Sequence, residues 1–267
     1  MQTYLNLEAS EGGPIRAPQY EYQVATMQVP CGQYSILWAL VEKQVTAAEA
    51  VMYLALNHGS SWNSGMTWCT PSRYLARRLG AGMSVRYTRA VVESLKDKGW
   101  IIERSLSGKR KRYKLIHHRC DEKDVPLDRD GKPLKFSVPR GDGGPFERLY
   151  TADISWKACL AWIVYKLYSD WKTGETYPCT MLEHAKRCRF APNTVVLLIQ
   201  ELVDADMLYR LSQPHEKSVF QLFPRPHRKD DQSAAKPVEL DDGVTSDGKF
   251  WYSSGSKYRC CRETTDI

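Results

Sequence analysis

The amino-acid sequence predicts a mainly helical α+β fold with small β-hairpins, in which one structural unit occurs twice. Three helical patterns and two short strand patterns follow one another from Thr46 to Ile116, and the same order returns from Asp153 to Phe223. Inward positions of the third helix recur 107 residues later, as Val91 and Leu198 illustrate. Because apolar periodicity, turn residues and loop placement agree, an internal duplication explains the sequence better than chance does.

The first two helices of the first copy are predicted from their end signals. Thr46 followed by Glu49 forms a capping box, in which each side chain bonds a backbone N–H group that the helix leaves unpaired. Gly59 is expected to end this helix. Pro71 suits the first turn of a second helix, which is expected to end at the glycine-rich turn 80–82.

A third helix is predicted from its cap Ser84 to Gly99. Its inward side consists of Val85, Thr88, Val91, Val92 and Leu95. Two strands, Trp100–Arg104 and Tyr113–Ile116, are then expected to form a hairpin around a loop at Ser107-Gly108.

The second copy repeats these signals. Helices are predicted over Asp153–Ser169 and Met181–Cys188, and a longer helix opens at Ala191-Pro192. The inward residues of that longer helix are Val195, Leu198, Ile199 and Leu202. Met207–Leu211 and Val219–Phe223 are expected to pair as strands.

The segments outside the two copies set the predicted domain boundaries. The first part of the chain is irregular because of its Gly and Pro residues, and the segment between the copies is rich in Pro, Gly and charge, with one short strand predicted at Leu134–Val138. The chain is therefore predicted to divide into an arm, a first domain, a linker, a second domain and a disordered tail, at residues 1–34, 35–120, 121–146, 147–224 and 225–267.

Composition and cysteine spacing exclude several classes of protein. Of the 267 residues, 42% are hydrophobic and 26% are charged, which is typical of a globular protein. The longest apolar run, Ala158–Tyr165, is far shorter than the ~20 residues that cross a bilayer. No secretory signal is apparent, so we expect a cytoplasmic protein without a membrane partner. The eight cysteines contain no CxxC pair, and neither a metal nor a cofactor is expected.

The net charge of +7 is concentrated in one segment. Residues 73–114 contain thirteen Lys or Arg against three acidic residues, a net charge of +10 that leaves the rest of the chain slightly acidic. Two short helices joined by a tight turn form a helix-turn-helix, whose second helix fits the major groove of DNA, and a following hairpin adds a wing. The repeated unit is thus predicted to be a winged helix, and the first copy to bind DNA.

Each residue type at this predicted surface has a defined role toward DNA. Arginine bonds guanine edges through two donors, serine and tyrosine reach phosphate, and a basic wing lies along the backbone or in the minor groove. The DNA-binding residues predicted in the first domain are Arg73, Arg77, Ser84, Arg86, Tyr87, Arg89, Lys109, Arg110, Lys111 and Arg112.

The second domain offers a smaller set of candidate DNA-binding residues. These are Lys186, Arg189, Asn193, Thr194 and Lys217. Asn193 can read adenine. The alternative is that this copy forms a surface for dimerisation or for another partner.

The residues do not assemble an enzyme site. A phosphate-binding loop requires Gly-x4-Gly-Lys-Ser/Thr, which neither Gly141–Gly144 nor Gly108-Lys109 provides. His117 and His118 are adjacent and would point to opposite faces of a strand, which makes a poor metal site for a DNA-nicking enzyme. We therefore predict a binding protein rather than an enzyme.

The segments TAAEAVMYLALNH, WCTPSRYLARRLG and MSVRYTRAVVESLKDKGWI, followed by GKRKRYKL, resemble the helix-turn-helix domain of replication initiators from plasmids, phages and integrative elements. The resemblance covers residues 46–116, and the tandem arrangement is similar to plasmid initiators with two winged-helix domains. It implies binding to repeated sequences at an origin, followed by melting or helicase recruitment. The first copy departs from this pattern by two extra turn residues, Ala81 and Gly82, which affect the docking angle of its recognition helix.

Two other functions fit the same residues. A transcriptional regulator uses the same DNA-binding fold, and an interaction scaffold would use both winged helices to dock proteins. The expected partners are double-stranded DNA, a second copy of the chain in a homodimer, and the replication machinery. The tail contains an aromatic cluster, Phe250, Trp251 and Tyr252, which either docks on such machinery or packs back on the body of the protein.

Overall fold

A computed structural model of the chain describes residues 26–32, 35–61, 64–67, 71–80, 82–105, 111–116, 135–141, 143–170, 173–212 and 216–223. These residues form eight helices and three two-stranded antiparallel sheets, which confirms the predicted α+β class. Within the same ranges, no helix is both long and apolar enough to cross a bilayer.

The elements fall into a first unit, residues 26–116, and a second unit, residues 135–223. The first unit contains β1 (Thr26–Pro30), α1 (Ile36–Val41), α2 (Ala47–His58), α3 (Ser72–Leu79), α4 (Val85–Asp97), β2 (Ile101–Ser105) and β3 (Lys111–Leu115). The second unit contains β4 (Lys135–Pro139), α5 (Pro145–Tyr150), α6 (Trp156–Leu167), α7 (Met181–Cys188), α8 (Pro192–Asp204), β5 (Leu208–Arg210) and β6 (Phe220–Leu222). The strand and four helices that open each unit have matching lengths of 5, 6, 12, 8 and 13 residues.

The six predicted helices and both predicted hairpins are present, and their ends differ from the predictions by up to three residues. Three further elements were not expected: β1 lies in the predicted irregular arm, α1 precedes the first predicted helix, and α5 begins inside the predicted linker. The two helices are six residues long, too short for an apolar period to be visible. The predicted strand at 134–138 is present as β4, and β1 is its partner.

The helix ends follow the predicted capping signals, with one exception. The Thr46 N–H donates to Glu49 Oε2 at 2.6 Å, and the Glu49 N–H donates to Thr46 Oγ1 at 3.2 Å, so the capping box forms. Gly99 follows α4 with a φ of 74°, a left-handed conformation that suits glycine. Gly59 also follows its helix but has a φ of −95°, so its freedom to adopt positive φ is not what ends α2.

In both units, the loop that follows the second helix forms hydrogen bonds with the hairpin at equivalent positions. Thr67 donates its N–H to Tyr113 O at 2.9 Å and accepts the Tyr113 N–H on Oγ1 at 3.0 Å. Thr176 and Phe220 make the same two bonds, at 2.8 and 2.9 Å. Both threonines are buried, so these side chains pair backbone groups that lie away from water.

The two units pack against each other through equivalent elements. β1 pairs with β4 in an antiparallel register that sets Gln28 opposite Ser137, its own counterpart in the other unit. Likewise α2 packs on its counterpart α6, while α1 packs on α7 and α3 packs on α5. Such reciprocal contacts are those of an approximate two-fold arrangement.

The helices α2 and α6 are buried on almost every side. The sequence predicted one apolar face for each, but in α2 every residue from Ala48 to His58 is buried, and in α6 so are Trp156 and the residues from Ala158 to Lys166. A helix that is buried all round lies inside a protein rather than at its surface. The two helices therefore join the units into one continuous hydrophobic core.

Truncation of Leu54 in α2 is expected to destabilise both units together. Leu54 is fully buried, so Leu54→Ala should lower the free energy of unfolding by about 2–5 kcal/mol. Urea denaturation followed by circular dichroism and by tryptophan fluorescence measures the change. The control Leu211→Ala removes a side chain that is 45% exposed and should cost less than ~0.5 kcal/mol. Two separate transitions in the wild-type chain would contradict a shared core.

The carboxylate of Glu49 is expected to make stability depend on pH. Burial raises the pKa of this carboxyl group. Hydrogen bonds from Lys98, Ser94 and the Thr46 N–H lower the pKa by more, so it lies below 4.5. Its contribution should be complete at neutral pH and should disappear as the pH falls through the pKa of the folded state.

Glu49→Gln should therefore lose about 1.5–3 kcal/mol of stability at pH 7, the range for hydrogen bonds to charged groups. The difference from wild type should shrink in acid. Denaturation at pH 7 and at stepwise lower pH measures it, with the exposed Glu175→Gln as control. A loss that stays constant with pH would show that the charge of Glu49 is not responsible.

Candidate nucleic-acid interface

The turn between α3 and α4 positions the predicted recognition helix. Residues 80–84 separate these helices, whereas residues 189–191 separate α7 from α8, so the two extra residues lie where the sequence placed them. Gly80 has a φ of 71° and Gly82 a φ of 89°. A Cβ atom on Gly82 would lie 3.3 Å from Trp156 Nε1. The turn thus packs closely on the first residue of α6.

The first turns of α4 present positive side chains to solvent. Arg86, Tyr87 and Arg89 are exposed, and the first turn of the helix contains no acidic residue. Neither arginine forms an ion pair with any residue that the structure describes. The positive end of the helix dipole lies beside them, so a phosphate is favoured there.

Ser84 caps α4 and remains exposed. Its Oγ accepts the Tyr87 N–H at 3.1 Å, which satisfies one of the unpaired donors at the start of the helix. The hydroxyl proton can still be donated to a phosphate oxygen. The structure thus gives Ser84 a structural function that is compatible with the predicted DNA contact.

The arginines of α3 serve two different purposes. Arg73 and Arg77, both predicted DNA ligands, are exposed one helical turn apart and so lie on the same side of α3. Arg78 points elsewhere: its guanidinium lies 4.6 Å from the Tyr74 ring and 4.3 Å from the Tyr150 ring of α5. Arg78 therefore joins the two units through cation–π contacts.

The positive charges at the end of α4 and in the hairpin are partly neutralised. Lys96 Nζ lies 2.7 Å from Glu93 Oε2 and 3.0 Å from Glu103 Oε2, and Lys111 Nζ lies 2.9 Å from Glu103 Oε1. Bonds from Lys111 and Lys96 lower the pKa of Glu103, so this carboxylate is ionised at neutral pH. The predicted phosphate ligand Lys111 is thus already occupied by an internal carboxylate.

Of the other predicted wing residues, the structure describes one. Arg112 is half-buried, and its Nε is buried with no hydrogen-bond partner among the residues that the structure describes. Lys109 and Arg110 lie outside the described residues. Among the described residues, Arg86 and Arg89 at the start of α4 are thus exposed and outside any ion pair, whereas Lys111 in the hairpin is paired with Glu103.

The candidate residues of the second unit are accessible but lie on a different kind of surface. Lys186, Arg189, Asn193 and Lys217 are exposed, and Thr194 is half-buried. Where α4 has Arg89 and Ala90, however, α8 has Val196 and Leu197, which are 44% and 70% exposed. Residues 182–221, the counterpart of the basic segment, contain five Lys or Arg and five acidic residues.

Sequence reasoning missed this exposed apolar surface. The run Val195–Ile199 is entirely apolar, and only one side of it was assigned to the core. In the structure Val195 and Leu198 are buried, while their neighbours Val196 and Leu197 face solvent. Five consecutive apolar residues in a surface helix exceed what one buried face needs, and this excess was the available signal.

Potential metal ligands and thiols also occur among the described residues. Among them, no group of three His, Cys, Asp or Glu side chains could hold a metal ion. Burial raises the pKa of the Cys188 thiol to about 12 and also raises that of Cys159, so both stay protonated and unreactive. The aromatic cluster predicted to dock, Phe250, Trp251 and Tyr252, lies outside the described residues.

Comparison of the chain with known protein families, with characterised proteins and with solved structures finds no match.

Proposed function

We propose that the chain is a tandem winged-helix protein that binds double-stranded DNA in a sequence-specific manner, with α4 of the first unit in the major groove. The observation that carries the proposal is the exposed start of α4, where Arg86 and Arg89 have no ion-pair partner among the described residues. An α-helix fits the major groove, and arginine is the usual reader of guanine there.

The tandem arrangement is supported by the recurrence of local structure. The last three helices and the hairpin of each unit have the order of a helix-turn-helix followed by a wing. Equivalent threonine bonds tie each hairpin to the preceding loop, and the residues Lys43 and Ala152, both in left-handed conformation with φ of 64° and 66°, occupy equivalent positions. Such detailed agreement favours duplication of one ancestral unit.

The biological role that we propose is replication initiation on a plasmid, phage or other mobile element. This role rests on the resemblance of residues 46–116 to the helix-turn-helix of such initiators. A transcriptional regulator would present the same DNA-binding surface. Maintenance of an origin-bearing plasmid in cells, compared with repression of a reporter gene, separates the two roles.

Selection of bound duplexes from a random pool tests DNA binding directly. We expect enrichment of a defined sequence and a steep loss of affinity with added salt, because each neutralised phosphate releases a counterion. If no duplex binds, or if binding does not respond to salt, the proposed function is wrong.

Substitution of Arg86 or Arg89 should relax sequence preference. Each of Arg86→Ala and Arg89→Ala is expected to reduce the discrimination between the selected duplex and a scrambled one by ~1–3 kcal/mol. Fluorescence anisotropy with both duplexes measures this difference. Arg210→Ala, at an exposed arginine of β5 outside the predicted DNA ligands, is the control and should change discrimination less. An equal loss of affinity for both duplexes would instead make the arginines phosphate ligands.

Removal of the Glu103 carboxylate should strengthen binding to all duplexes alike. Glu103→Gln leaves Lys96 and Lys111 without their shared partner, and the gain should be about two- to fivefold, as expected for a screened surface charge. Lys111→Ala should conversely weaken all duplexes by a similar small factor. Titrations at two salt concentrations measure both, with Glu42→Gln as control. Unchanged affinity in both variants would place the hairpin base away from DNA.

A further inference from the structure

The second unit has a cavity of about 520 Å³ beside α8, away from the DNA contacts proposed for α4. It is lined by Arg148, Asp153, Leu197, Gln200, Glu201, Asp204 and Ala205. Leu197 is the most exposed of the large apolar side chains described, at 70%. One arginine against three carboxylates makes the lining acidic.

The walls of this cavity are held by internal bonds. Arg148 Nη1 lies 3.1 Å from Asp153 Oδ2, Gln200 Nε2 donates to Asp204 Oδ1 at 2.7 Å, and Glu201 accepts from Ser155. The lining side chains are thus held in place before a ligand binds, and the apolar side chain of Leu197 lies among them.

Two sequence differences between the units coincide with this cavity. Position 205 is alanine where the first unit has Lys98, whose Nζ lies 2.8 Å from Glu49 Oε2. Position 197 is leucine where the first unit has Ala90. The second unit has therefore lost a cation and gained an exposed apolar side chain at the same place, which favours an apolar and cationic ligand.

We propose that residues 249–262 of this chain, KFWYSSGSKYRCCR, dock in this cavity. The segment contains four aromatic residues and four cations, with no acidic residue. Aromatic side chains supply apolar area to cover Leu197, and the cations complement Asp204 and Glu201. Both the apolar and the electrostatic character of the surface are matched by one stretch of sequence.

The length of the connecting chain permits this contact. The described part of the second unit ends at Phe223. The Phe223 N–H donates to the carbonyl oxygen of Met207 at 3.1 Å, and Met207 lies three residues after the end of α8. Residues 224–248 then precede the segment. A connection of 25 residues can reach at most ~80–90 Å, whereas α8 is about 20 Å long. The connecting residues are therefore numerous enough for the segment to reach the cavity of its own chain.

Photo-crosslinking of the full chain tests the proposal. Trp251→p-benzoyl-phenylalanine places a photoreactive group in the segment, and mass spectrometry identifies the residues that it joins. Mixing isotopically light and heavy copies separates links within one chain from links between two. We expect links within one chain to α8 or to residues 143–154.

Two variants and a control make the result specific. Leu197→Arg and Asp204→Lys alter exposed residues of the cavity and should each reduce the link yield by about tenfold or more, as expected when a charge opposes the cationic segment. Leu182→Arg alters an apolar side chain of α7 that is 56% exposed, outside the cavity lining, and should leave the yield unchanged.

Any other pattern of links would overturn the proposal. Links between light and heavy copies would assign the surface to self-association, and links to added duplex would make the segment a DNA ligand. Links to other parts of the chain, or a yield that Leu197→Arg does not reduce, would exclude the cavity as the docking site. The proposal does not depend on DNA binding by α4, since duplex affinity of the Arg86→Ala variant and link yield are measured independently.

Discussion

The packing of α2 against α6 is the interaction on which the rest of the structure depends. Both helices are buried almost all round, so each completes the hydrophobic core of the other's unit. The β1–β4 pair closes the same contact, because each strand has no other partner in the described sheets. A unit of about 90 residues buries only a limited apolar area by itself, and packing against a second unit increases the apolar area that is buried. The outer helices are then free to carry different side chains.

The outer surfaces of the two units differ, although their inner frameworks are alike. The inward residues of α4 and α8 are of the same kind, and the bonds that hold each hairpin are the same. Outward positions differ in charge and polarity, with Arg89 in one unit and Val196 in the other. Buried positions are restricted by close packing, whereas exposed positions are not, so function can change there at little cost in stability. The proposed DNA contacts lie on the first unit, whereas the cavity proposed for residues 249–262 lies on the second.

Most of the fold could be predicted because its signals are local. The capping box at Thr46, the cap Ser84 and the glycine after α4 act within a few residues, and each lies where the sequence indicated. The six-residue helices α1 and α5 and the strand β1 could not be predicted, since they depend on partners far along the chain. At the candidate site, the exposure of Arg86 and Arg89 follows from helical periodicity, but the capture of Lys111 by Glu103 depends on how the strands pair.

The sequence by itself determined the order of the six longer helices and the two hairpins and the concentration of positive charge between residues 73 and 114, and it predicted the repeat. Only the tertiary structure decided which of those charges remain available, because ion pairing depends on distances between α4 and the hairpin rather than on residue order. It also decided that the units share one core. The sequence shows that α2 and α6 have apolar residues on all sides, but only the packed structure shows that each helix covers the other. Local chemistry specifies where helices begin and end, and long-range packing specifies which of their faces meet solvent.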